Sequence, residues 1–529
     1  MERRGFIGAG AALTVTTLAG CTGGGARDDG AAVGSTRTSP TPSTDAPATL
    51  ASASRAAPTR VPARWRDLAQ DLDGTLVRPG DRVWESARIL YNTRFDGLRP
   101  AAVAYVRHEQ DVRTVLAYAR ARRMRVAIRS GGHAYAGWSS GNGRLVVDVS
   151  ALSRIRADGA DAVVGAGAKL IDVYRSLAAR GVTVPAGSCP TVGISGLALG
   201  GGHGVVSRAY GLTCDHLVGA RIVTADGKQR VADREQNRDL FWALRGAGNG
   251  NFGVVTELRF RTRPAPRAVS GRLTWPWARA AAVLKAWQAW GPGQPDEIWS
   301  SLHLDRSPGG APRVAVNCFS LGTYGELQNA VDRLADRIGA SASSVRLRRL
   351  SYAAAMEVYA GCSGFGEAVQ CRLPGEVPGR SPRGALGRET YAARSDFFDR
   401  SLSEAGVRTL LGRIEGVRGG AGSISLTALG GAVNRVAPTA TAFVHRRSRV
   451  LAQYLVSWAA GTAGTAASGW LDGTHTAMRR YASGAAYQNY TDAALTDWRT
   501  AYYGAAAGRL RAVKVAYDPS GFFTFPQSL

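Results

Sequence analysis

Two stretches of this sequence set nucleophilic side chains in turns too rich in glycine to bury them in a core. RSGGHAYAG places His133 directly after Gly131 and Gly132, and AGSCPTVGISGLALGGGHG places Cys189 at the head of a second glycine-dense run. Consecutive glycines let backbone N–H groups converge on an anion, because no Cβ blocks the approach and positive φ is freely available. Either stretch alone reads equally well as a tight turn, His133 alone as a satisfied polar residue, and Cys189 alone as a small buried hydrophobe. Together, each pairing a diphosphate-type nest with a group that can form a covalent bond, they point to a diphosphate cofactor.

The elements that must position these groups follow from hydrophobic periodicity. AVAYV, RVAIRS, RLVVDVS, AVVGAGA and ARIVTADG predict strands, and HEQDVRTVLAYARARR and the segment 170–180 predict helices. Between about Pro264 and Ala482, strand-like runs such as SGRLTW, IWSSLHL and RVAVNCFSL alternate with amphipathic helices such as YGELQNAVDRLADRIGA. That pattern predicts an antiparallel sheet with helices on one face. VVGAGAKLIDVY imitates a dinucleotide fingerprint, but Leu170 stands where the third glycine belongs and no acidic residue follows at the required distance. The histidines show no paired spacing for a metal, and GISG and GCSG are not hydrolase elbows, so no metal site is expected.

RSGGHAYAG, GSCPTVGISGLALGGGHG, RAYGLTCDHLV, DLFWALRGAGNGNFGVVT and the C-terminal YQNYTD, YYG, YDP and FPQS together resemble the berberine-bridge-enzyme family of FAD-linked oxidases. The resemblance runs from about Trp65 to Leu529. It implies an α+β fold class, with a PCMH-type FAD-binding domain of two α+β subdomains interrupted by a substrate domain whose antiparallel sheet is covered by helices. The implied organisation is a signal at 1–21, a linker at 22–61, FAD-binding segments at 62–264 and 483–529, and a substrate domain at 265–482. By the same resemblance FAD is held covalently through both His133 and Cys189, which would leave the cleft open to bulky substrates. Contacts along the cofactor fall to Arg129, Ser130, Gly131, Gly132, Gly193, Gly196, Gly200, Gly201, Gly202, Asn251, Phe252, Gly253 and Asn489. Val192 takes the position that governs access of dioxygen, and its small side chain favours an oxidase over a dehydrogenase. Two positions depart from the pattern: His216 in CDHL and Ala506 in YYGAAAGRL.

Oxidising an alcohol needs a base for the hydroxyl proton while hydride leaves carbon. The resemblance assigns the base to Tyr490, puts Tyr487 nearer the cofactor and Tyr135 on the substrate face. A free phenol has a pKa near 10, so a positive neighbour or hydrogen-bond donor is expected to lower it. If YQNY is extended, Tyr487 and Asn489 face one way and Gln488 and Tyr490 the other. The expected reaction is oxidation of an alcohol or hemiacetal carbon, foremost of a sugar or oligosaccharide to its lactone, with O₂ reduced to H₂O₂. The alternatives are a phenolic, alkaloid or antibiotic-like substrate, and a surface lipoprotein that binds without turnover.

The chain has 529 residues, with 66 Lys and Arg against 40 Asp and Glu for a formal charge of +26. Its basic clusters lack interleaved aromatics, which argues against nucleic-acid binding. MERRGFIGAGAALTVTTLAGC carries a twin-arginine pair, Arg3 and Arg4, a stretch too short to span a membrane, and LAGC, which resembles a lipobox. The expectation is a monomer exported with its cofactor installed, secreted or anchored at the outer face of the cell membrane through lipidated Cys21. The Gly, Ser, Thr and Pro-rich segment that follows is a tether that cannot fold on its own. Export would allow Cys362 and Cys371 to pair, leaving Cys214 and Cys318 as buried thiols.

Overall fold

The computed structural model describes residues 61–529. The twin-arginine pair, Cys21 and almost all of the tether therefore lie outside the described residues. Strands Thr75–Val77, Ala102–Tyr105, Val126–Arg129 and Leu145–Asp148 form a four-stranded sheet in the order first, second, fourth, third. The fourth runs parallel to both the second and the third. Helix Glu109–Ala121 supplies the crossover that parallel pairing demands. Strands Ile155–Asp158, Asp161–Gly165, Leu217–Thr224, Gln229–Asp233 and Gly253–Arg261 form a five-stranded antiparallel sheet. A single apolar core joins the two sheets, and the helix Ala507–Tyr517 near the C-terminus returns to it through Leu510 and Val513.

The antiparallel pairing of Asp161–Gly165 with Gly253–Arg261 explains why VVGAGA is no dinucleotide fingerprint, which requires a parallel strand–helix–strand unit. Its glycines serve packing: a Cβ at Gly165 or Gly167 would collide with the carbonyl oxygen of Leu152 or Val149.

The middle of the chain forms a seven-stranded antiparallel sheet, in the order Ser344–Leu350, Ala268–Trp275, Arg313–Ser320, Ile298–Arg306, Ala421–Ala428, Val450–Ser457 and Tyr391–Phe398. Helices Ala280–Trp290, Tyr324–Ile338, Glu404–Glu415 and Thr465–Arg479 cover one face and bury Trp287, Leu334, Leu410 and Trp470 in a second core. Period-2 alternation sends Ala452, Tyr454 and Val456 into that core. It leaves Gln453 and Tyr391 for the opposite face, which looks onto the cavity described below. Arg446, fully buried, ties this unit to the segment just before strand Leu217–Thr224 by donating to both carboxylate oxygens of Asp215 at 2.9 and 2.6 Å. Cys362 and Cys371 are paired, with Cα atoms 5.5 Å apart, and Cys214 and Cys318 are buried free thiols. Among the described residues no helix is long and apolar enough to cross a membrane.

Candidate active site

The two glycine-dense segments meet backbone to backbone. A Cβ on Gly131 would collide with the amide nitrogen of Gly193 and lie 2.7 Å from the Thr191 carbonyl, so only glycine permits the approach. Beside them opens a cavity of about 1970 Å³, counting its mouth. Ser130, Gly131, Gly132, His133, Tyr135, Cys189, Val192, Gly193, Gly196, Asn251, Gly253, Tyr487, Asn489 and Tyr490 all line it. These residues come from loops far apart in the chain that the two flavin-side sheets and the seven-stranded sheet bring to one place.

Other expected contacts do not reach the wall. Arg129 is buried beneath the loop, ion-paired through Nε with Asp148 and donating from Nη2 to the Ala87 carbonyl at 2.7 Å. Gly200, Gly201 and Gly202 sit one layer back and shape the wall. A Cβ on Gly200 would strike the Asn489 and Asn249 amides, while Gly201 and Gly202 adopt φ of +125° and +83°, which favour glycine. Phe252 is a core residue. Ser130 lines the cavity, but its hydroxyl donates to the Ala166 carbonyl at 2.7 Å, so its backbone rather than its side chain is left to serve a phosphate. His216 lies away from the cavity, its ring nitrogens 2.7 and 3.1 Å from the carbonyls of Tyr210 and Arg261. Nothing in the structure explains Ala506.

The cavity fits a long polar cofactor. Ser139 Oγ and Asn249 Oδ1 are buried on its wall without a protein partner, each a polar atom that a bound group would satisfy. Gly196 faces open space where any side chain would intrude. The backbone of Ser130–Gly132 and of Gly193 supplies the nest that a pyrophosphate needs.

His133 is fixed from two sides. Its ring stacks on Tyr91 with centroids 4.1 Å apart, and Nε2 hydrogen-bonds the Thr191 hydroxyl at 2.8 Å. Burial, aided by the Lys169 cation, lowers its pKa to about 3, so the imidazole is neutral and Nδ1 keeps its lone pair or proton free. Cys189 lies on the same wall.

YQNY is not extended. Gln488–Tyr490 form a turn of 3₁₀-helix closed by a 2.8 Å bond from the Tyr490 amide to the Tyr487 carbonyl. In that geometry residues three apart eclipse, so Tyr487 and Tyr490 face the same side with ring centroids 5.0 Å apart. Tyr487 Oη accepts from the Gly202 amide at 2.8 Å and from Asn489 Nδ2 at 2.9 Å. Asn489 is itself oriented, donating to the Leu197 carbonyl and accepting from Asn249. Tyr135 stacks on Tyr490 at 5.2 Å, meets Tyr391 edge-on at 5.3 Å and accepts from Gln453 Nε2 at 2.7 Å.

Of the positive neighbour or hydrogen-bond donor expected beside Tyr490, no cation acts on it among the described residues. Burial, with help from the neighbouring tyrosines, pushes its pKa well above that of a free phenol. In place of a cation stands His203, whose Nε2 is 2.7 Å from the Tyr490 oxygen. Burial lowers the His203 pKa to about 4, so this imidazole too is neutral, and its Nδ1 is buried without a partner. Sequence reasoning missed His203, Gln453 and Tyr391. His203 was visible as the one titratable side chain in GGGHG; the other two lie in strands whose pattern carries no chemical signal.

Residues 100–233 match the FAD binding domain family, and residues 486–529 match the berberine and berberine-like family. The FAD-linked oxidoreductase YgaK of Bacillus subtilis is 32% identical over 87% of this chain and 97% of its own length. The chitooligosaccharide oxidase of Gibberella zeae is 29% identical, covering 85% of this chain and 91% of its own. The Physcomitrella patens BBE-like 1 structure superposes with a TM-score of 0.79 at 29% identity, over 88% of this chain and 99% of that one. With a PCMH-type flavin fold, a glycine-cradled cavity and a relative matched almost end to end, this chain belongs to the berberine-bridge-enzyme-like FAD-linked oxidoreductases.

Proposed function

We propose that the protein oxidises the anomeric hydroxyl of an oligosaccharide to the lactone and passes the electrons to dioxygen, giving H₂O₂. The observation that carries this reading is the hydrogen-bonded pair Tyr490–His203 on the cavity wall, beside aromatic rings tipped with polar groups. Tyr135, Tyr359, Tyr391 and Gln453 offer flat faces for the C–H surface of a sugar ring and hydroxyl or amide groups for its hydroxyls. A greasy metabolite would leave those polar groups unpaired. The relation to a chitooligosaccharide oxidase supports the same substrate class.

FAD, held along the glycine cradle, would supply the hydride acceptor and the route of the electrons to dioxygen. Tyr490 takes the substrate hydroxyl proton while passing its own to His203 Nε2, so a phenol with a raised pKa acts as a base without ever becoming a free phenolate. The neutral imidazole makes that transfer possible, with its own proton held on Nδ1. Tyr135, fixed by Gln453, orients the substrate. His133 and Cys189, both on the cavity wall, would hold the flavin covalently. Val192 leaves room for dioxygen at the ring. The protein works exported, tethered by a lipid on Cys21, and metabolic labelling with a fatty acid, lost in Cys21→Ala, tests that placement.

Two measurements test the reaction. A panel of oligosaccharides should yield peroxide in air and bleach the flavin anaerobically; silence in both across the panel refutes it. Acid precipitation should leave the yellow colour in the pellet, with flavopeptides containing His133 and Cys189 found by mass spectrometry.

A further inference from the structure

Against the Ser130–Gly132 loop, which also lines the main cavity, lies a small polar pocket where Arg129, Lys169 and Arg380 come together. Lys169 is buried and donates to the Ser130 carbonyl at 2.9 Å and to Ser150 Oγ at 3.1 Å. Arg380, on the segment that follows the Cys362–Cys371 disulfide, donates to the carbonyls of Ile89 and Pro374, each at 3.2 Å. Asp148 is the carboxylate on the pocket, and it is engaged with Arg129 Nε and the Ser150 amide. Among the described residues no carboxylate lies within ion-pair distance of Lys169 or Arg380. Arg129 Nη1 is buried with no partner at all.

Three cations thus face one spent carboxylate, with Arg129 and Lys169 buried and Arg380 half-buried. Burial depresses Lys169 to about 8, with Arg129 and Arg380 adding to it against the pull of Asp148 and Asp172, and burial depresses Arg380 to about 10 with Arg129 adding to it. Uncompensated buried charge is costly, and a native fold normally pairs it. The pocket encloses about 390 Å³ on the measure that gives about 1970 Å³ for the main cavity, and its confined space suits a small ion better than a sugar or nucleotide. A second, larger cavity shares Ser150, Lys169 and Gly379 with it and is lined also by Arg175 and Arg372.

We infer that this pocket binds a small monovalent anion of halide size between Arg129 Nη1, Lys169 and Arg380. The anion completes the underside of the cofactor loop, since Lys169 and Ser150 both hold the Ser130 carbonyl.

The test uses the holoprotein with bromide as the probe. Crystals soaked in sodium bromide should give an anomalous peak within hydrogen-bond distance of Arg129 Nη1 or Lys169 Nζ. The melting temperature should rise by about 2 °C between 1 and 100 mM bromide for a Kd of about 1 mM, with sodium gluconate holding ionic strength constant. Arg380→Gln should abolish that rise; the bromide peak in the unaltered protein decides the matter if the variant does not fold. An ordered water without anomalous signal, a cofactor phosphate filling the space, or melting that does not distinguish bromide from gluconate overturns the inference.

Discussion

His203 and Tyr490 can be removed separately and together, and the proposed relay dictates how the losses combine. General-base assistance contributes roughly 10²–10⁴ in rate, so His203→Ala and Tyr490→Phe should each slow flavin reduction by about 10³, or about 4 kcal/mol of barrier. Because the two groups move one proton in sequence across a 2.7 Å bond, the double variant should be no slower than the worse single one. Independent contributions would instead multiply to about 10⁶. The assay is anaerobic stopped-flow reduction by a saturating oligosaccharide, with flavin content checked for each variant. The pH dependence adds a second criterion. His203 has its pKa lowered to about 4 by burial, so the unprotonated ring is the active form. The rate should be level above about pH 5 and fall roughly tenfold per pH unit below the pKa, where Nε2 carries a proton and no longer accepts one. In His203→Ala that acid limb should vanish. Multiplicative losses, or an acid limb unchanged in the variant, would refute the relay.

Other consequences of the geometry can be measured directly. Gly131→Ala should abolish flavin incorporation while leaving a folded protein, because its Cβ has only backbone to displace; absorbance at the flavin bands against circular dichroism checks this. Tyr487→Phe strips the acceptor from the Gly202 amide and Asn489 Nδ2, and should cost about 2 kcal/mol in urea unfolding beyond any loss of activity. Asp215→Ala leaves the buried Arg446 guanidinium without its carboxylate and should destabilise by about 3–5 kcal/mol, whereas replacing both residues with apolar ones should recover much of that. Reducing Cys362–Cys371 should cost about 2–3 kcal/mol, read as a lower melting temperature in reductant that Cys362→Ala reproduces.

Sequence by itself determined the flavin-binding family and marked the segments that line the cavity. His133, Cys189 and the glycines beside them are local signals, since a nest and its nucleophile lie within a few residues and need no distant partner to be recognised. The strands and helices were legible for the same reason, because periods of 2 and 3.6 are written along the chain. Tertiary structure decided which groups meet. Arg129, adjacent to the cradle in sequence, points under it because Asp148 on the neighbouring parallel strand claims it. Tyr487 and Tyr490 share a side because the chain turns as a 3₁₀-helix where alternation alone would have separated them. His203 becomes the partner of Tyr490, and Gln453 the partner of Tyr135, across sequence gaps that no spacing rule spans. Nor could the charges be read in advance: burial holds both His133 and His203 neutral and pushes the phenols upward, and desolvation is a property of the assembled fold rather than of any residue in its own stretch of chain.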